Sequence, residues 1–305
     1  MSTNGKKKII VVLGPTASGK SDFAVKLAKK FNAEVISADS RQIYEDLNIG
    51  SNKITETEKK GIKHYLLDVV KPDQEFSLYD WQQNAFQNIE KILKKNKQPI
   101  IVGGTGLYLS SILQNYQLPA TDKALRLKLN KLSLEKLLAQ LKKIDPEITK
   151  KIDSKNKIHV VRALEYAIAF HDDLDTNKKT SACPYDYLIL GLNPDKEKLY
   201  QKINQRVDIM IKNGLIAETQ EIIHRYHPSG GNPTSLSGIG YQEISKYLKK
   251  ELSLEEAIEL IKKNTRHYAK RQMTWFRRME KQGLKINWNQ NITEAETLIK
   301  KFLNN

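Results

Sequence analysis

The residues best suited to chemistry are Gly14, Pro15, Thr16, Ala17, Ser18, Gly19, Lys20 and Ser21, which read G-x-x-x-x-G-K-S. In such a loop the glycines let backbone N–H groups close around phosphate oxygens, and the following helix adds the positive end of its dipole. Lys20 can reach a terminal phosphate, and the Ser21 hydroxyl can ligate Mg2+. A nucleoside triphosphate is the default ligand. A diphosphate ester fits the same cradle, because the loop reads only phosphate oxygens.

Three further clusters carry chemical side chains. Asp39, Ser40, Arg41 and Gln42 follow an apolar run, and a carboxylate at a strand end can act as general base or metal ligand. Structurally, Asp39 is also an ordinary strand-end turn residue. Gly103, Gly104, Thr105 and Gly106 form a second glycine-rich turn, a weak signal by itself. Residues 262–281 carry eight Lys and Arg against Glu280 alone, with Tyr268, Trp275 and Phe276 interleaved. Lys263, Arg266, Lys270 and Arg277 fall near one helical face. Cations with aromatics suit a nucleic-acid backbone and unstacked bases, and equally a solvated basic face over an aromatic stripe.

The elements that must position these groups follow from periodicity. Residues 9–13 form a short β-branched apolar run, read as a buried strand, and 20–31 as the helix after the loop. Further strands are expected at 35–37, 64–70, 99–102 and 187–192. Ser77 is placed to cap a helix reaching about 95. Alternating strands and helices predict an α/β fold, a parallel sheet covered by helices. Between about 118 and 157 the chain is Lys- and Leu-rich with no strand pattern, so a small all-helical insertion is expected. Asn193–Pro194 should start a helix to 213. Residues 227–240 read as an ordered loop, and Ser253 with Glu256 as a capping box for the last long helix. Its apolar stripe runs Ile258, Ile261, Thr265, Tyr268, Gln272, Phe276, Met279, with two polar interruptions, and Gly283 should end it. The expected division is 1–118 for the first part of the core, 119–158 for the insertion, 159–285 for the second part of the core and 286–305 for a C-terminal tail.

Composition bounds the function classes. The chain has 305 residues, 39% hydrophobic and 28% charged, an ordinary globular mix, with a formal net charge of +16. Such a balance points to a polyanionic partner, nucleic acid first, or to a generically basic surface. One cysteine, Cys183, excludes an intramolecular disulfide and fits a reducing compartment. No apolar run is long enough for a membrane span. The opening residues are polar and then basic, unlike a secretory signal. A cytoplasmic location is expected.

In order and combination, these segments resemble the tRNA dimethylallyltransferase family, also called tRNA isopentenyltransferase. The match runs through GPTASGKS, ADSRQIY, GGTGLY, Arg162-Ala163-Leu164-Glu165, Arg206-Val207, Gly238-Ile239-Gly240-Tyr241 and the run from Thr265 to Gln272 with Thr274-Trp275-Phe276-Arg277. The resemblance implies a P-loop NTPase-like fold and transfer of a dimethylallyl group from dimethylallyl diphosphate to N6 of the adenosine 3′ of the anticodon. It implies that Gly14–Ser21 bind diphosphate, with Mg2+ at Ser21. It makes Asp39 the base, Thr105 a residue holding the reacting groups, and Lys20 and Arg206 the cations on the diphosphate. It implies tRNA anticodon stem-loop contacts from Asp39, Ser40, Arg41, Gln42, Thr105, His159, Arg162, Gly240, Tyr241 and Gln242, and from Arg266, Lys270 and Arg277 on the basic face. Arg266 has a second reading, as a brace for the crevice. His159 stands where the family often has Arg, and the insertion is shorter than usual. A monomer with no membrane contact is expected. The rivals are a P-loop small-molecule kinase, a non-enzymatic RNA-binding module and an adenylate prenyltransferase acting on free AMP, ADP or ATP.

Overall fold

The computed structural model describes residues 6–170, 180–226 and 234–305. Its centre is a six-stranded, wholly parallel sheet: β1 (Lys8–Leu13), β2 (Ala33–Ala38), β3 (His64–Tyr65), β4 (Gln98–Gly103), β5 (Asp186–Gly191) and β6 (Ile286–Trp288). The strand order is β3-β2-β4-β1-β5-β6. The ends of β2, β4 and β1 are therefore adjacent. In register, Ala38 pairs with Gly103 and Leu13 with Gly103. That arrangement brings the P-loop, Asp39 and the second glycine turn to one edge.

Both faces of the sheet are covered, as a sheet with continuous apolar strands requires. Ile9, Val11 and Leu13 of β1 face one layer, and Ile10 and Val12 the other. Each is fully buried, contributing roughly 1.5–3 kcal/mol. The first helical layer contains α3 (Leu78–Leu93), α4 (Gly106–Leu113), α10 (Leu215–Tyr226) and α12 (Leu254–Lys281); α1 (Lys20–Lys30) and α13 (Ile292–Asn304) pack on the opposite face, and the short α2 (Glu56–Lys59) precedes β3. The expected caps are present. Ser77 accepts from the Asp80 N–H, and Ser253 from the Glu256 N–H, with both reciprocal bonds made.

Several expectations are corrected. The third strand stops at Tyr65, because Leu66 and Asp68 take positive φ (60° and 51°) and break the extended run. Val70 instead makes an isolated bridge to Tyr44. The helix expected from Pro194 is capped by Asp195, which accepts from Glu197 and Lys198 N–H, and runs as α9 (Lys196–Lys212). Residues 286–305 are no tail: β6 completes the sheet beside β5, and α13 buries Ala295 and Ile299 under it. The expected loop at 227–240 lies partly outside the described residues. Its end holds a 3-10 turn, Ser235–Ser237, before α11 (Tyr241–Leu248).

The helical insertion comprises α5 (Lys123–Asn130), α6 (Leu134–Ile144) and α7 (Pro146–Lys151), with a hydrophobic cluster of its own. Helix α8 (Lys157–Ala169) shares that cluster through Val160, Val161, Leu164 and Ala167. Arg126 of α5 reaches Glu165 of α8 through two hydrogen bonds, 2.8 and 3.0 Å, which gives the Arg-Ala-Leu-Glu run a structural reason.

An acidic anchor sits at the start of β2. Glu34 is 3% exposed and accepts from the Tyr65 hydroxyl at 2.6 Å, Lys95 at 3.0 Å and Lys97 at 2.9 Å. Burial opposes its charge, but these three donors prevail and hold the carboxyl down at about 2. A carboxylate depressed in the folded state stabilises fully above its unfolded value, and loses that contribution as pH falls from about 4.5 towards 2. Glu34→Gln is expected to cost roughly 2–3 kcal/mol at neutral pH and to flatten the acid limb of stability across that window. Denaturant unfolding of both proteins at pH 7, 4.5 and 3 checks this; parallel acid limbs would contradict it.

Candidate active site

The P-loop follows β1 directly. Ala17 (φ 64°) and Gly19 (φ 87°) take left-handed backbone, the conformation that lets successive N–H groups line an anion-binding concavity. No side chain caps the start of α1, so its first N–H groups remain open to a phosphate. Ser18 Oγ is buried without a hydrogen-bond partner among the described residues.

Two connected lobes open beyond the strand ends, of about 200 and 240 Å3. Thr16, Lys20, Asp39, Ser51, Asn52 and Arg206 line both. Ser21 lies in the first, and the second adds Ser40, Arg41, Tyr268 and Arg271. Lys20 lines both lobes and donates to the Pro15 carbonyl at 3.3 Å. Burial pushes its ammonium down to about 8; Asp39 opposes the shift and Arg206 adds to it. The Arg206 guanidinium is also lowered by burial, and donates to Thr16 Oγ1 at 3.5 Å. Two cations held in a desolvated cleft suit a polyanion that would restore their favourable surroundings.

Asp39 Oδ1 accepts from the backbone N–H of Arg41 at 2.8 Å and of Gln42 at 3.4 Å. These bonds orient the carboxylate and leave Oδ2 without a protein donor among the described residues. Thr105 Oγ1 accepts from Ser40 N–H at 3.2 Å, joining the second glycine turn to the Asp39 turn. Burial, with Asp39 nearby, pushes the Tyr268 phenol up to about 12.

The glycine turn has a packing reason. A Cβ on Gly104 would meet Gln272 Nε2 at 2.2 Å, and one on Gly106 would meet the Trp275 ring at 2.3 Å. These residues give α12 its close approach to the strand ends. Gln272, readable beforehand only as a polar break in an apolar stripe, is 5% exposed and reaches the P-loop. Tyr268 and Arg271 are further cleft residues that the sequence left among the aromatics and cations of this helix.

Other predicted contacts lie differently. Arg41 is engaged by the Thr234 and Ser235 carbonyls and by Ser237 Oγ. Gln42 donates to Asn52 O at 3.0 Å, and Gln242 to Ser237 O at 2.5 Å. The Tyr241 side chain is 0% exposed, packed on Gly50 with its hydroxyl donating to Glu218 at 2.7 Å, so its ring lies in the core. Gly240 is buried beside it. Arg266 donates to Asn204 on α9 at 2.6 Å, the bracing geometry. Lys263, Lys270 and Arg277 are exposed on α12, and His159 and Arg162 on α8, outside both lobes. A larger open groove of about 860 Å3 lies near the strand starts, where Lys6 and Asp186 are the only charged lining residues among the described ones.

The model of the IPP transferase family matches residues 42–279. A tRNA dimethylallyltransferase of Clostridioides difficile (strain 630) is 47% identical over 285 residues, covering 90% of this chain and 89% of that one. The chain belongs to the IPP transferase family. The match begins after the P-loop and Asp39, so membership does not rest on a phosphate loop that many unrelated enzymes share. The structure of the full-length tRNA isopentenylpyrophosphate transferase from Bacillus halodurans, 35% identical, covers 98% of this chain and 96% of its own, with a TM-score of 0.70. That of a eukaryotic dimethylallyltransferase acting on tRNA gives a TM-score of 0.81 at 29% identity, over 95% of this chain and 76% of its own. An IPP transferase is a transferase, and the α/β fold expected from the strand pattern is the one observed. Among the described residues no helix is long and apolar enough to cross a membrane.

Proposed function

We propose that this chain transfers a dimethylallyl group from dimethylallyl diphosphate to N6 of the adenosine 3′ of the anticodon in tRNA. The observation that carries the reading is one cleft in which Asp39 faces Lys20 and Arg206. In the reaction the donor's C1–O bond to diphosphate breaks and a C1–N6 bond forms. Asp39 Oδ2 takes the N6 proton, since an exocyclic amine is a weak nucleophile. Thr105, fixed by Ser40 N–H, holds the amine against that carboxylate. Lys20, Arg206 and the loop N–H groups of residues 14–21 neutralise the leaving diphosphate.

Mg2+ fits the donor set. Ser21 and Asp39 line one lobe beside the phosphate loop, and their hydroxyl and carboxylate oxygens suit a hard ion that keeps waters and phosphate ligands. Held at Ser21, the ion would supply further positive charge to the diphosphate. The acceptor reaches the cleft from a single-stranded loop, whose base can be splayed out. In this reading the helical insertion flanks the anticodon stem with His159 and Arg162, and the protein works as a cytoplasmic monomer.

Incubation with labelled dimethylallyl diphosphate and either tRNA or AMP tests the assignment. Label should enter tRNA only. Label on AMP would indicate an adenylate prenyltransferase, and stoichiometric ADP in a parallel incubation with ATP a kinase.

The basic face makes a separate prediction. Lys270→Ala and Arg277→Ala should each weaken tRNA binding and flatten the slope of log K against log salt by about 0.7–0.9. Arg266→Ala, through Asn204, should instead lower the rate at saturating tRNA. Affinity across a salt series, with thermal melting as control, checks this; unchanged slopes in folded variants would leave the face merely solvated.

A further inference from the structure

We propose that Gln272 is a positioning residue for the donor site, fixing the P-loop from the helix that carries the basic face. This rests on the reading of the cleft given above. Gln272 is buried on the inner side of α12, near Ala269, Phe276 and Met279, where an aliphatic residue would be expected from packing alone. Its amide is used at both ends. Oε1 accepts from the Thr16 backbone N–H at 2.8 Å, and Nε2 donates to the Gly104 carbonyl at 2.9 Å. One side chain thus bridges the end of β1 and the end of β4.

The two bridged segments carry opposite halves of the chemistry. Thr16 lies in the loop that holds Lys20 and hydrogen-bonds Arg206, while Gly104 immediately precedes Thr105, which is tied to Ser40 beside Asp39. The bridge therefore sets the spacing between the diphosphate cradle and the base. Gly104 has no room for a side chain beside the Gln272 amide, so the contact is built from both partners. Trp275, one turn further, donates to Ser110 Oγ at 3.0 Å and packs on Gly106, which holds α12 in register. Without the Gln272 amide, the part-buried Thr16 N–H and the buried Gly104 carbonyl lose their partners, which frees the P-loop to shift.

Gln272→Met keeps length and volume and removes both hydrogen bonds. The probe is inorganic pyrophosphate with Mg2+, measured by calorimetry beside tRNA affinity and melting temperature. Pyrophosphate affinity should fall about tenfold or more, while tRNA affinity stays within about twofold. A purely structural role would lower melting and both affinities together, and would overturn the inference. Undiminished pyrophosphate binding in a folded variant would overturn it as well. Should Gln272→Met fail to fold, Gln272→Asn replaces it: the amide stays neutral but is one methylene too short to span both partners. Weakened pyrophosphate binding with normal tRNA binding supports the role, and unchanged binding refutes it. A wild-type protein that does not bind pyrophosphate would instead remove the donor-site reading, and the inference with it.

Discussion

Asp39→Asn is expected to slow turnover by about 10²–10⁴-fold while leaving tRNA affinity nearly intact. The geometry makes this substitution selective. Oδ1 accepts two backbone N–H groups, from Arg41 and Gln42, and only an oxygen can do so. In the Asn variant the carboxamide oxygen therefore keeps the Oδ1 position, and the NH2 group takes the place of Oδ2. The turn that carries Ser40 and its bond to Thr105 is preserved, so tRNA meets the same surface. What changes is the atom facing the cleft, from a proton acceptor to a donor. Single-turnover prenylation with saturating donor isolates the chemical step. A rate close to wild type would remove Asp39 as the base and leave it a turn residue. Loss of tRNA affinity in proportion to rate would assign it to binding.

How much of this was legible in the sequence depends on how local each cause is. The P-loop, the Ser77 and Ser253 caps and the apolar runs of β1 and β4 are set within a few residues, and all stand where the pattern put them. The apolar look of residues 64–70 hides two left-handed residues, Leu66 and Asp68, which end the third strand early. The C-terminal strand leaves no local pattern, because β6 has only three residues and gains its stability from pairing with β5, a partner nearly a hundred positions away. Asn291 and Glu294 did carry a capping-box signal for α13. Within the site, motif residues were legible and their supports were not. Gln272 and Tyr268 reach the cleft only because α12 crosses the strand ends, a fact of packing. Tyr241 shows the converse: a motif position whose side chain serves the core.

Lys20→Ala is expected to lower kcat/KM for dimethylallyl diphosphate by about 10²–10³-fold, because the ammonium opposes charge that grows on the leaving group. The pH dependence gives a sharper test. Burial holds the free protein's Lys20 near 8, well below an ordinary lysine, with Asp39 opposing the shift and Arg206 reinforcing it. Only the protonated form neutralises phosphate, so the competent state prevails below about pH 8 and is lost above it. The profile of kcat/KM, which reports the free enzyme, should therefore decline on the alkaline side from about 8. Bound diphosphate favours the cation and raises its pKa, so the profile of kcat should hold to higher pH. Lys20→Arg keeps a charge that does not titrate in this range, and should abolish the alkaline limb while still losing rate, since a planar guanidinium does not match a site shaped for an ammonium. Profiles of the three proteins between pH 6 and about 9.5 decide the matter. A wild-type kcat/KM that stays level throughout, or an alkaline limb that survives in Lys20→Arg, would show that another group governs donor capture.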